Sequence, residues 1–561
     1  MKQLNCIYIV CASFLRQVHK LRFIRLIPDA VRNVIIVLGA TLVLAAPSAC
    51  AASPYDAMVD AVMARYHLPG LAVGVIQNGK VVYKRTEGEL AVGSGKPVTP
   101  DTLFKIASNT KAFTTALLAR LVQQGKLKWS DPVRKYLPKF GMYEPWVARN
   151  MQVRDLLMHD NGLRAGAGDL MLWPQPNDFT RADIVTGLKY IKPVHSFRAT
   201  YAYSNTSYVI AGQVAAAAGG ASYEQLMRRE VFKPLGLARC VVGRFNRDKV
   251  GNVAQPHTRP HGHWVVTGAD GKVVPVVTAA AAGGVRCSLN AMLKWAQNWL
   301  APTPKQLAWL SLKQRRILWA AHRPIPLSPR RRAWDHAHFF ANGYGWHLED
   351  VDGKWVVWHT GTLSGMYSAL TLLPDQKTGF VVLINAEAPD ARRVLKEVIL
   401  KHFTAPGQGR SVASYADELA RAHHRQQVSH MPNTSSRVPA TAHELEPELG
   451  IWHSPWFGKV SICATRGKVH FSAAKSPMMT GVVMRVGNRY LVDWDNFGPH
   501  AEAWLEFGQG KPIVLQMAKV DPDADFSWDY EDLAFRRIGA CQRAGHSVTA
   551  QLQRHAGGAS G

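Results

Sequence analysis

Ser108 and Lys111 stand three residues apart in Phe104-Lys105-Ile106-Ala107-Ser108-Asn109-Thr110-Lys111. Residues three apart share a face of a helix, so a hydroxyl and an amine placed there point the same way. An adjacent amine can take the hydroxyl proton and turn a poor nucleophile into a good one. Ala116, Leu117, Leu118, Leu121 and Val122 follow at helical spacing, and Gly125 falls where a helix C-cap is expected. The pair would then sit at a helix N-terminus, whose free N–H groups and positive dipole end favour an oxyanion. Taken alone, Ser-x-x-Lys reads better as a capped helix with a solvated lysine than as a nucleophile and its base.

Two further clusters bear on that choice. Tyr203-Ser204-Asn205 lies about 95 residues later, ahead of a helical run from Tyr208 to Ala218. A tyrosine accepts a proton only as phenolate, and lowering its pKa from ~10 to ~7 takes roughly 4 kcal/mol of favourable field. A lysine cation in a partly buried site could supply much of it. Asn205 offers a donor and an acceptor, suited to a substrate carbonyl or to Lys111. His359-Thr360-Gly361 ends a predicted strand, where a glycine allows close approach. The backbone N–H of about Thr362 would be a second oxyanion donor beside that of Ser108, and such donors matter by a few kcal/mol each.

The elements that must position these residues are legible in outline. Residues 53 to 69 read as a helix. Leu71 to Ile76 and Lys80 to Arg85, joined by Asn78-Gly79, read as a β-hairpin. Residues 130 to 225 are mixed helix and loop, Leu289 to Leu300 is a helix, and 303 to 335 is a Pro- and Arg-rich excursion. Strands follow at Tyr344 to Glu349, Trp355 to His359, Met366 to Leu373 and Gly379 to Asn385, then a helix from Ala391 to Phe403. Strands at both ends with helices between predict an antiparallel sheet closed by both termini of the unit. Residues 406–444 are polar and read as a linker with a short helix at Ala413 to Ala422. Residues 445–540 change to short aromatic-rich strands (Val460–Ala464, Lys468–Phe471, Arg489–Trp494, Glu502–Phe507, Ile513–Lys519, Asp532–Arg537), an all-β domain. Residues 541–561 read as a disordered tail.

The three clusters, in this order and on these local structures, resemble the penicillin-recognising serine hydrolases of the class C β-lactamase type. That superfamily also includes esterases, D-aminopeptidases and D-Ala-D-Ala carboxypeptidases. The resemblance covers about residues 53 to 405 and is supported by Asp101 to Ser108, by His159-Asp160-Asn161-Gly162-Leu163 and by Ala282-Gly283-Gly284-Val285. It implies an α+β fold of the β-lactamase/transpeptidase type, an antiparallel sheet flanked by helices, over residues 52–405. The C-terminal domain resembles the lipocalin-like domain of unknown role often appended to such hydrolases. The implied mechanism is acyl transfer to Ser108, with Lys111 and Tyr203 sharing the base role and Asn205, His359, Thr360, Gly361 and Thr362 binding substrate. No cofactor or metal is implied. The expected activity is that of an exported serine hydrolase on an amide, lactam or ester. The alternative is a sensor that acylates or binds cell-wall ligands without turnover. Two departures stand out. His359 occupies the place of the family's usual lysine, and His159-Asp160-Asn161 replaces its common His-Thr-Ser, in what reads as a structural loop beside the site.

Composition narrows the partners. The chain of 561 residues carries a net charge of +27, yet its longest basic run is Arg330-Arg331-Arg332 and no nucleic-acid-binding motif occurs. A small-molecule or peptide substrate and cell-wall association fit better than nucleic acid. Lys20, Arg22, Arg25 and Arg32 precede an apolar run, Val34 to Ala46, and Ala49-Cys50-Ala51. This is a signal peptide over residues 1–51, so a periplasmic or secreted location is expected. Membrane contact would come only through that signal unless Cys50 were lipidated, and Pro47 does not suit a lipidation site. Of the cysteines beyond it, Cys463 and Cys541 could pair in an oxidising compartment. Asp521-Pro522-Asp523-Ala524-Asp525 begins like a calcium loop and Asp532 stands twelfth, but Phe526 replaces the required glycine.

Overall fold

The computed structural model describes residues 53–508, 510 and 512–541. The expected signal peptide, and the expected tail apart from Cys541, lie outside the described residues. Residues from Ala57 onward form one unit.

The first helix, α1, runs Pro54–Tyr66. An eight-stranded antiparallel sheet follows, with strands β1 (Gly70–Gln77), β2 (Lys80–Gly88), β3 (Arg323–Pro324), β4 (Phe340–Asn342), β5 (His347–Val351), β6 (Lys354–Leu363), β7 (Met366–Leu373) and β8 (Thr378–Ile384). The spatial order is β3-β4-β5-β6-β7-β8-β1-β2, so the N-terminal hairpin closes the sheet beside the last strand, as expected. Asn78 and Gly79 take left-handed φ values of 50° and 75° at the predicted hairpin turn. β1, β7 and β8 are buried throughout apart from Gln77, which explains their near-continuous apolar sequences. Helix α4 (Leu289–Leu300) packs on β1 and β8, and α5 (Pro389–Thr404) packs on β7 and β8. Helices α2 (Thr110–Gln123) and α3 (Asn205–Gly219) pack against each other away from these strands.

Three findings depart from the sequence reading. The expected linker contains a 19-residue helix, α6 (Val412–His430), which packs on α5. Val412, Tyr415, Ala416 and Leu419 are buried on one side of it, and the Tyr415 ring meets that of Trp334 at 4.7 Å with a tilt of 59°. The strand expected at Tyr344 starts three residues later, because Tyr344 and Gly345 form a turn over α2. A disulfide joins Cys240 to Cys287, directly opposite each other on two-residue strands, in addition to the Cys463–Cys541 bond that the sequence left open.

The C-terminal domain is an eight-stranded antiparallel barrel with one short extra strand, β9 (Val438–Pro439). The barrel strands are β10 (Gly450–Ser454), β11 (Gly458–Thr465), β12 (Lys468–Ala473), β13 (Thr480–Val486), β14 (Arg489–Trp494), β15 (Ala503–Phe507), β16 (Val514–Lys519) and β17 (Ala534–Gly539). Pairing of β10 with β17 and of β13 with β14 closes it, which removes sheet edges. Two of its strands, β10 and β13, escaped the sequence reading. The barrel seats on the segment 164–183. Arg164 pairs with Asp532 at 2.8 Å, Lys475 with Asp183 at 3.1 Å, and Phe179 meets Phe457 with ring centroids 5.6 Å apart.

Candidate active site

Ser108 lies in a single 3-10 turn, Ala107–Asn109, immediately before α2. Ala107 holds a left-handed φ of 48°, a sparsely populated conformation for a residue with a Cβ that is held by its surroundings. Asn109 donates to Ser368 Oγ at 2.8 Å, and Ser368 donates to the Ile106 carbonyl at 2.8 Å, so β7 clamps the turn from behind. Gly361 faces the same turn. A Cβ there would meet the Ile106 carbonyl oxygen at 2.1 Å and Ser368 Oγ at 2.4 Å, so only glycine lets β6 approach this closely.

Lys111 is fully buried in the first turn of α2. Its Nζ donates to Ser108 Oγ at 3.1 Å, to Asn205 Oδ1 at 2.8 Å and to the Ala282 carbonyl at 3.0 Å. It also lies 4.7 Å from the Tyr203 ring centroid. Burial pushes the Lys111 ammonium down to about 7, with Asp169 opposing the shift. Near neutral pH a large share of this lysine is therefore free amine.

The Tyr203 hydroxyl hydrogen-bonds the Ser108 side chain, but burial drives it well above its usual pKa. Tyr203 as a whole is half-buried. The expectation that Lys111 would bring Tyr203 toward 7 is not met: desolvation outweighs the field of a lysine that is itself often neutral. Ser204 caps α3, accepting from Ser207 N, and this sets Asn205 at the helix start. His159, with a left-handed φ of 57°, stacks on Tyr203 at 4.4 Å and accepts from Ser204 N at 2.9 Å. Burial keeps it neutral. The loop at 159–163 is thus a scaffold beside the site, as expected.

His359 is buried, and burial followed by the Lys111 charge lowers it to about 3. Its Nδ1 lies 2.6 Å from the Thr360 carbonyl. A carbonyl only accepts, so Nδ1 carries the proton and Nε2 is left with a lone pair. Arg392 of α5 donates to the Gly361 carbonyl at 2.7 Å and to Thr362 Oγ1 at 2.8 Å, fixing the strand end. All eight expected residues therefore come from elements gathered around one turn. Thr360 and Thr362 are the most open of the β6 group, with His359 and Gly361 buried.

Other residues reach the site that local reading did not single out. Asp169 Oδ2 accepts from Asn205 Nδ2 at 2.8 Å. Burial raises Asp169 to about 7 against its hydrogen bonds. Phe526, read above only as a flaw in a calcium loop, places its ring edge-on to Tyr203 at 5.6 Å. Asp521 and Asp532 of that segment pair with His500 and Arg164. Among the described residues no group of three or more histidine, cysteine, aspartate or glutamate side chains is placed to hold a metal. Nor is any described helix long and apolar enough to cross a membrane. A shallow groove lined by Tyr143, Val147, Leu163 and Phe197 lies beside Asn161 and does not include Ser108.

This site, on a helix-flanked antiparallel sheet, is the arrangement of a β-lactamase/transpeptidase fold. The Beta-lactamase family model matches residues 55–402, and the chain belongs to that family. It is 27% identical over 367 residues to the Unguisins hydrolase ungD' of Aspergillus campestris, across 62% of this chain and 63% of that protein, so it spans less than two thirds of that relative. It is 26% identical over 360 residues to a Beta-lactamase of Escherichia coli (strain K12), across 58% of this chain and 86% of that one. Among solved structures, the octameric penicillin-binding protein homologue from Pyrococcus abyssi matches with a TM-score of 0.55 at 18% identity, covering 86% of this chain and 99% of that one. That likeness bears on the fold alone.

Proposed function

We propose that this chain is an exported serine hydrolase that works through an acyl-enzyme on Ser108. The observation that carries the proposal is the Lys111 amine, 3.1 Å from Ser108 Oγ and lowered to about 7 by burial. The free amine takes the Ser108 proton as the oxygen attacks a substrate carbonyl. The developing oxyanion rests on the backbone N–H groups of Ser108 and Thr362. Tyr203, neutral and hydrogen-bonded to Ser108, gives its proton to the leaving group and regains one from the Lys111 ammonium. Water then attacks the acyl carbonyl, the same amine takes its proton and passes it to Ser108 Oγ as the bond between that oxygen and the acyl carbon breaks, and the acid product leaves.

The substrate reading turns on His359. A lysine at this place offers a cation to a substrate carboxylate, whereas neutral His359 offers a lone pair. This favours neutral esters or amides over carboxylate-bearing β-lactams. The two disulfides and the basic–apolar N-terminus support export. Purified protein should label with a fluorophosphonate and hydrolyse p-nitrophenyl esters, and Ser108→Ala should abolish both. Labelling that survives this substitution would overturn the assignment. Nitrocefin read in parallel separates the alternatives: steady hydrolysis favours a β-lactamase, and a single stoichiometric adduct favours a sensor.

A further inference from the structure

The barrel reaches into the hydrolytic site through one segment, Asp525 to Asp529. The Phe526 carbonyl passes so close to Gly166 that a Cβ there would meet it at 2.3 Å, and Gly166 has a φ of 78°. The next residue, Ser527, donates its hydroxyl to Asp169 Oδ2 at 2.8 Å. Asn205 Nδ2 donates to the same oxygen at 2.8 Å. The opposite end of that amide, Oδ1, accepts from Lys111 Nζ at 2.8 Å. A continuous chain of hydrogen bonds thus runs from a barrel serine to the amine beside Ser108.

Each link has one workable orientation. A side-chain amide has nearly the same shape when flipped, but flipping Asn205 would set its NH₂ against the lysine donors. In its ionised form Asp169 only accepts, and that form forbids the flip from the other end. Asp169 in turn takes both donors on one oxygen, while its buried Oδ1 has no partner, so losing Ser527 would remove one of the two bonds that set its rotation. The barrel also fixes the backbone on both sides of Asp169, because Gly168 N and Leu170 N donate to Asp529 at 2.6 and 3.0 Å.

We propose that Ser527 is a positioning residue of the hydrolytic site: through Asp169 and Asn205 its hydroxyl holds Lys111 beside Ser108, so the barrel completes the site. This rests on the Ser108 reading above. The charged and titratable groups acting on Asp169 are Lys111 from α2 and Asp525 and Asp529 from the barrel, with Tyr203 nearby. Ser527 stabilises the Asp169 anion, and that anion favours the Lys111 ammonium.

The test is the pH dependence of fluorophosphonate labelling of the full chain. In Ser527→Ala, Asp169 loses a donor and Lys111 loses counter-charge, so its amine is freed at lower pH. The ratio of the labelling rate at pH 6 to that at pH 9 should rise about threefold or more, while the rate at pH 9 falls at least about fivefold. Ser527→Thr, which keeps the hydroxyl, should restore both. Asp169→Asn keeps size and removes the charge, and should move the ratio the same way if Ser527→Ala fails to fold. A folded Ser527→Ala protein with the wild-type rate and ratio overturns the inference and leaves the Ser108 reading standing. Wild-type protein that does not label, or a Ser108→Ala protein that does, overturns both.

Discussion

Replacing Gly361 by alanine puts a methyl group in place of a hydrogen where no space exists. The new Cβ would lie 2.1 Å from the Ile106 carbonyl oxygen, 2.4 Å from Ser368 Oγ and 3.0 Å from Ala107 Cβ. An ordinary carbon–oxygen contact needs more than 3 Å, so the shortfall is about 1 Å. None of the neighbours can yield cheaply. The Ile106 oxygen is backbone and accepts from Asn109 N and Ser368 Oγ, and Ser368 is held again by Asn109 Nδ2. The strain therefore falls on the gap between β6 and the nucleophile turn, which opens by about 1 Å. That gap separates the two N–H groups assigned to the oxyanion. A misplacement of this size costs on the order of 100-fold in rate, and loss of one oxyanion donor costs about 100- to 1,000-fold. Overpacking of this kind also destabilises by about 1–3 kcal/mol. The assay is the fluorophosphonate labelling rate and ester turnover of Gly361→Ala, with circular dichroism and a thermal melt to establish folding. Gly498→Ala, where a Cβ meets nothing within 4 Å, is the control and should match wild type in both. A folded Gly361→Ala protein that labels within about threefold of wild type would refute the claim that β6 supplies an oxyanion donor.

Two other outcomes are expected. Because burial lowers Lys111 to about 7, the base is present above that pH; kcat/KM should rise with pH and reach half its plateau near pH 7, with no limb from His359, whose pKa of about 3 lies below the working range. A bell or plateau with its acid limb near pH 4 would assign the base to another group. His359→Lys restores a cation at the end of β6, and the rate of acylation by nitrocefin relative to p-nitrophenyl acetate should rise at least about tenfold; an unchanged ratio would show that this position does not select the substrate.

What the sequence could and could not disclose divides along a physical line. The Asn78-Gly79 hairpin, β7 at Met366–Leu373 and β14 at Arg489–Trp494 carry their signals locally, in turn chemistry and side-chain period, and they lie where the reading put them. The three clusters were legible because each contains its own chemistry. The α6 helix runs beyond its expected end because the apolar stripe stops at Leu419, and exposed His423 and His424 give the turns that follow no apolar period. Cys240 and Cys287 sit on strands of two residues, too short to show a period. Ser527 meets Asp169 across 358 residues of chain and Phe526 meets Tyr203 across more than 300, so nothing near them in the chain marks their part. The direction of the Tyr203 shift was misjudged for a related reason: desolvation depends on what encloses a group, and the enclosing atoms come from elsewhere in the fold.

The order of strands in the main sheet also dictates when the molecule can fold. β1 is bonded along its length to β8, from Leu71 opposite Ile384 to Ile76 opposite Gly379, a loop of roughly 310 residues. As the chain leaves the ribosome, the β1–β2 hairpin forms early but presents a bare apolar edge until β8 has been made. The turn that carries Ser108 waits as well, since its clamp, Ser368, lies on β7. The core thus assembles late and through distant contacts, a topology that folds slowly. A truncation before Ile384 would leave β1 with a bare apolar edge and the sheet unclosed.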